Sequence, residues 1–276
     1  MNLVRRNESL SEERRMKRFE GRRVLVTGGG SGIGRATVIR LLAEGATVVA
    51  ADVVAEGLSD LEKAGGADRL HTHVIDIGDE DSVRSGVAAS VDRLGGLDVL
   101  VNAAGVLRSA HTESVSLDDW DRIIRINLTG TFLMIRESLP ALIESGHGVI
   151  VNFSSTSASF AHPYMAAYAA SKGGIWSLTH TIALEFASKG IRAVTVAPGS
   201  ISSGITASPG LPEDADFALF TKLQPALAAP SSDFDGVQIP GMAGPDKVAS
   251  VVAMLASDDG AFITGTEVRV DGGSHM

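Results

Sequence analysis

Short runs of β-branched and aliphatic residues recur along the chain, separated by stretches where apolar positions return every three or four residues. The runs at 24–27, 47–51, 70–76, 99–103, 149–154, 193–197 and 267–270 predict short buried strands. Helical spacing predicts helices over 34–44, 80–94, 117–145, 168–189 and 246–257. Gly45 and Gly190 stand where helix C-caps belong. Strands that alternate with helices imply an α/β fold: a doubly wound parallel sheet of about seven strands, helices on both faces, right-handed crossovers. In such sheets ligands bind beyond the carboxyl ends of the strands, and that is where chemistry is to be sought.

One stretch breaks the rhythm. Residues 204–245 hold six of the nine prolines, and within them Leu211, Phe217, Leu219, Phe220, Leu223 and Leu227 suggest an apolar lid or binding loop. A length of 276 residues fits one α/β domain as well as two smaller ones. We read residues 1–18 as a flexible extension and 19–276 as a single domain. The first twenty residues carry six Lys/Arg and four Asp/Glu, against a net −9 for the whole chain. Met16, just before the first strand, is an expected alternative start of translation.

That acidic balance, with a pI near 5.2, argues against nucleic-acid binding, which needs a basic face. Mean hydropathy is +0.17, but the apolar runs are well short of the ~18 residues that span a bilayer. No signal-peptide core precedes the first strand, so a soluble, cytoplasmic protein is expected. With no cysteine there is no disulfide, thiol catalysis or thiolate-bound metal. His71 and His73 share a strand face, but with no third ligand in reach they read as surface residues, and no metal is expected.

The first strand runs into Thr27-Gly28-Gly29-Gly30-Ser31-Gly32-Ile33-Gly34 and then a helix. Glycines at such a turn let backbone approach a pyrophosphate, whose charge is stabilised at the helix N-terminus. Asp52 ends the second strand, eighteen residues past Gly34. A carboxylate there accepts hydrogen bonds from an adenosine ribose and repels a 2′-phosphate. Val53 and Val54 follow it, with no cation to neutralise that phosphate, so NAD is expected over NADP.

Tyr168 and Lys172 fall four apart on one helix face. A phenol with a pKa near ~10 is a poor base, and an adjacent ammonium favours its phenolate. Ser154-Ser155 close a strand thirteen residues before the tyrosine, and Asn102-Ala103-Ala104-Gly105 closes the strand before that.

With these motifs in this order and spacing, residues 19–273 resemble the small single-domain branch of the short-chain dehydrogenases/reductases. The resemblance implies a Rossmann-like fold and hydride transfer between a nicotinamide cofactor and a secondary alcohol or ketone. It implies Tyr168 as general acid/base, Lys172 lowering its pKa and holding the nicotinamide ribose, and Ser155 orienting the substrate oxygen. Asn127 resembles the helix asparagine of a proton relay, with a helix-kink role as the alternative. For the cofactor it implies Gly28, Ser31, Gly32, Ile33 and Gly34 at the turn, Asp52, Asp76 and Ile77 around the adenosine, and Ala103 and Gly105. Asn102 mainly stabilises the sheet in such proteins. Pro198, Gly199 and Ile201 resemble the segment meeting the carboxamide, and Ser203 stands where the family has a pyrophosphate-binding threonine. His162 and Tyr164 are expected on the rim of the substrate pocket, contacting substrate or merely exposed.

Related proteins pair the tyrosine helix across a dimer interface, so its small residues (Ala166, Ala167, Ala169, Ala170, Gly173, Gly174) imply a homotetramer, or else tight packing on the chain's own sheet. Two other functions fit: an NADPH-dependent 3-oxoacyl-carrier-protein reductase, and a non-catalytic dinucleotide-sensing regulator. Regulators of this fold tend to lose the tyrosine or lysine, both kept here.

Overall fold

The computed structural model describes residues 17–64, 68–207, 210–223, 225–227, 232–234, 237–239 and 242–275. Seven strands form one sheet: β1 (Arg23–Thr27), β2 (Thr47–Asp52), β3 (Leu70–Val74), β4 (Val99–Asn102), β5 (Val149–Phe153), β6 (Arg192–Pro198) and, last in the chain, β9 (Glu267–Val270). Their order is β3-β2-β1-β4-β5-β6-β9 and every pairing is parallel, as the strand–helix alternation predicts. Adjacent strand residues point to opposite faces, which builds two cores. Val24 and Val26 of β1 join Val99, Val101, Val149 and Val151 on one side; Leu25, Leu100 and Ile150 lie on the other.

Helices α1 (Gly32–Ala43) and α8 (Pro245–Ala256) cover the first face, giving Val38, Leu41, Val248 and Val252. The second takes α3 (Glu80–Leu94) and α5 (Gly130–Ser145), with Val83, Val87, Met134 and Leu142, and the back of α6 (Ala166–Phe186), with Ile182. The helix α2 (Ala55–Lys63) was not expected; its only buried apolar residues are Leu58 and Leu61, too few to make a period visible.

The helix expected over 117–145 is broken. It runs as α4 (Leu117–Ile123), a π-helical turn (Ile124–Thr129) and then α5. Strand β3 stops at Val74, two residues early, leaving Asp76 in the loop beyond the sheet, where Gly78 donates to its side chain at 2.8 Å. Within 204–245 the structure has a short helix, α7 (Gly204–Ala207), and an antiparallel hairpin of β7 (Ser232–Phe234) and β8 (Val237–Ile239). Of the apolar lid residues, Phe217, Leu219 and Leu227 are exposed, whereas Leu211, Phe220 and Leu223 are half-buried.

Residues 1–16 and Met16 as a start lie outside the described residues. Arg18, counted with the extension, is tied to the domain by ion pairs with Glu44 and Asp259. No helix among the described residues is long and apolar enough to cross a membrane.

Candidate active site

At the end of β1 the chain turns back on itself so tightly that two positions admit only glycine. A Cβ on Gly34 would lie 2.0 Å from the carbonyl oxygen of Gly28. Gly28 has φ +67, and a Cβ there would lie 2.8 Å from the amide of Ala104. Helix α1 then starts without a side-chain cap and without an acidic residue in its first turn. Its amide dipoles therefore face a cleft of about 510 Å³ with nothing of their own to satisfy them. Gly28, Ser31, Gly32, Ile33, Gly34, Asp52, Asp76, Ile77, Ala103, Gly105 and Ser203 all line that cleft. Bare backbone beside a carboxylate, lining one cleft, fits a dinucleotide. Asp52 is fixed there, accepting from Gly30 N–H and Val54 N–H, both at 3.0 Å.

Asn102, Pro198, Gly199 and Ile201 of the expected cofactor set do not line it, and neither do Tyr168 and Lys172. Asn102 lies inside the sheet, donating to Asn152 at 2.9 Å, and Asn152 donates to Thr179. Pro198 ends β6 and Gly199 donates to Val270 at 3.1 Å. Ile201, 3% exposed, is bridged to Ala243. These build the wall behind the site. In their place the cleft has a residue that sequence reasoning missed: Arg122 of α4, exposed and without an ion pair among the described residues. It stands four before Ile126, also in the cleft wall, and that helical spacing was the available signal.

The second half of the site comes from β5 and α6. Ser155 follows β5 and accepts from Ser157 N–H at 3.2 Å, which fixes its hydroxyl toward Tyr168. Ser154 instead donates to Glu267 on β9. Burial pushes the Tyr168 phenol up to about 12, and its hydrogen bond with Ser155 acts against that rise. Burial pulls Lys172 down to about 8. The ammonium lies 5.6 Å from the Tyr168 ring centre and donates to the Phe153 carbonyl at 2.8 Å. The shared helix face therefore does bring the pair together, but Lys172 is turned to the end of β5, and the lowering contact on the phenol is the serine's.

Asn127 sits in the π-helical turn, fully buried. Its Oδ1 accepts from Val106 N–H at 2.8 Å, and its Nδ2 donates to the Val106 carbonyl at 2.9 Å and to Ser171 at 3.1 Å. The side chain thus clamps the loop after β4 onto α6, next to Lys172. Gly105 borders both: a Cβ there would lie 3.2 Å from Asn127 Oδ1 and 3.6 Å from Lys172 Nζ. The lysine and the dinucleotide cleft meet at this glycine. His162 Nε2 is 3.3 Å from both Thr156 Oγ1 and His275 Nε2. Burial, then the neighbouring His275, lowers the His162 imidazole to about 4, so it is neutral at pH 7. His71 and His73 lie on β3, partly buried, and the described residues hold no group of three His, Cys, Asp or Glu suited to a metal.

Comparison with known proteins agrees with this fold. The chain is 36% identical over 258 residues to the 3-oxoacyl-[acyl-carrier-protein] reductase FabG of Thermotoga maritima, covering 93% of this chain and 98% of that one. It is 36% identical over 260 residues to the D-threitol dehydrogenase of Mycolicibacterium smegmatis, covering 93% and 94%. Among solved structures, a short chain dehydrogenase from Mycobacterium paratuberculosis bound to NAD superposes with a TM-score of 0.84 at 29% identity, over 93% of this chain and 98% of that one. The model of the short chain dehydrogenase family matches residues 22–213. This chain belongs to the short chain dehydrogenase family, oxidoreductases whose fold binds a nicotinamide dinucleotide.

Proposed function

We propose that the protein is an NAD(H)-linked dehydrogenase that interconverts a secondary alcohol and its ketone. The observation that carries this is the convergence of Ser155, Tyr168 and Lys172 beside Gly105, at the edge of the glycine-lined cleft. Gly28, Ser31, Gly32, Ile33, Gly34, Asp52, Asp76, Ile77 and Ser203 would hold the cofactor, whose nicotinamide supplies the hydride acceptor or donor. Ser155 orients the substrate oxygen by a hydrogen bond. Tyr168 takes the hydroxyl proton during oxidation and returns it during reduction. Lys172 contributes a positive charge near the phenolate, with its own position fixed by the Phe153 carbonyl. Asn127 holds the floor of this arrangement rigid.

Asp52 supports NAD, because its carboxylate is held at the adenosine end by two backbone amides and would repel a 2′-phosphate. Arg122 lines the same cleft and supports the second reading, an NADPH-dependent 3-oxoacyl reductase. Fluorescence titration with NADH and with NADPH decides between them. Preference for NADH is expected; preference for NADPH overturns the Asp52 argument, and binding of neither would favour a regulator. The likeness to D-threitol dehydrogenase makes a polyol the first substrate to try. We further propose a homotetramer, which the exposed Phe132, Trp176 and Leu184 on α5 and α6 support.

A further inference from the structure

Loops leave the carboxyl ends of β4, β5 and β6, and one side chain ties all three together. Tyr164, on the approach to α6, has φ +66 and is the one non-glycine residue with positive φ among the described residues. Bulky side chains rarely take that conformation, and it persists where surrounding contacts over-determine it. Here the contacts are explicit. The Tyr164 carbonyl accepts from Ala110 N–H at 2.9 Å, in the loop after β4. Its hydroxyl accepts from Asp216 N–H at 2.8 Å, in the segment after β6. Its ring stands edge-on to His111 with centres 5.1 Å apart, and 6.0 Å from Phe220. His111 closes the circuit, its Nε2 lying 2.9 Å from Asp214 Oδ1.

Segment 210–223 is thus pinned from two sides, by His111 and by Tyr164, which stands four residues upstream of Tyr168. We propose that Tyr164 is a positioning residue that sets this segment as a wall of the substrate site, and so governs affinity for the alcohol or ketone rather than the rate of chemistry. A rim tyrosine of no consequence would have no need of a left-handed backbone to reach Asp216. The proposal rests on the dehydrogenase reading for its kinetic effect, but not for the latch itself.

The test uses the full chain, with Y164F removing only the hydroxyl and Y164G removing the ring while relieving the backbone. Amide hydrogen exchange is read first, without substrate. Y164F is expected to speed exchange of the peptide containing Asp216 about tenfold, leaving peptides of the seven-stranded sheet unchanged. Unchanged exchange at Asp216 overturns the latch. Kinetics follow with a panel of secondary alcohols, beginning with D-threitol. Both variants are expected to raise KM at least fivefold, with kcat within about twofold and NADH affinity unaltered. Faster exchange with an unchanged KM overturns the role in substrate affinity. A wild-type protein that oxidises nothing in the panel counts against the dehydrogenase reading, and is told apart from failure of the latch by the exchange rates.

Discussion

Burial works against the proton transfer proposed for Tyr168. The phenol is pushed up to about 12 and the neighbouring ammonium down to about 8. Because the phenolate is the form that accepts a proton, oxidation should speed up as pH rises toward about 8, above which Lys172 loses the charge that supports the phenolate. Reduction should slow over the same range. Initial rates in both directions check this; oxidation that slows over that range contradicts it. Tyr168→Phe should cost about 10²–10⁴-fold in turnover, the usual worth of acid–base catalysis, while NADH still binds. Spacing alone showed that Tyr168 and Lys172 share a helix face. It could not show where Nζ points, because that depends on the Phe153 carbonyl, at the end of β5. Away from the site, Asp98 is 2% exposed and bound by Arg23 through side chain and backbone, which hold its carboxyl below the usual range although burial alone would raise it. Its stabilisation is complete above the unfolded value near ~4 and is lost as pH falls through the lower folded value. Arg23→Ala removes the guanidinium bonds while the backbone amide and His147, 3.1 Å away, remain, and should lower stability by about 1.5–3 kcal/mol, read from urea midpoints at pH 7.

Elements that pack continuously against the sheet were legible, since their apolar period is imposed by the core: 80–94 and 267–270 are found at the expected bounds. What the pattern could not reveal is backbone that departs from a period for a local reason. The π-helical turn at Ile124–Thr129 keeps helical spacing on either side while rotating Asn127 onto the loop after β4, a contact visible only in three dimensions. The same holds for α2, whose two buried leucines make half a signature. The glycine turn was legible because its chemistry is steric and local. Gly34→Ala would set a methyl 2.0 Å from backbone, so the turn must open. We expect dinucleotide affinity to fall by tenfold or more, at least about 1.4 kcal/mol, in the same fluorescence titration; an unchanged affinity would contradict the role of the turn.

For the molecule as a whole, the two glycines of α6 divide their tasks. Gly174 faces inward, where a Cβ would lie 2.7 Å from Leu128, whereas the space above Gly173 is open within 4 Å. With Leu184 84% exposed on the same helix, the outward face is suited to a second copy. Leu184→Glu should therefore shift sedimentation of the proposed tetramer toward smaller species while the circular dichroism of the subunit is kept. An unshifted assembly would place the interface elsewhere, and a monomeric wild-type protein would overturn the tetramer. The order of the sheet has a longer reach. Strands β1, β2 and β3 lie on one flank and β4, β5, β6 and β9 on the other, and they adjoin where β1 pairs with β4, as at Thr27 and Asn102. Most of what would grip the electron carrier precedes that seam in the gene, while Ser155, Tyr164, Tyr168 and the 210–223 segment follow it. A lineage could change what the protein acts on by editing the later stretch around Ser155 and Tyr168, and keep most of its grip on the electron carrier.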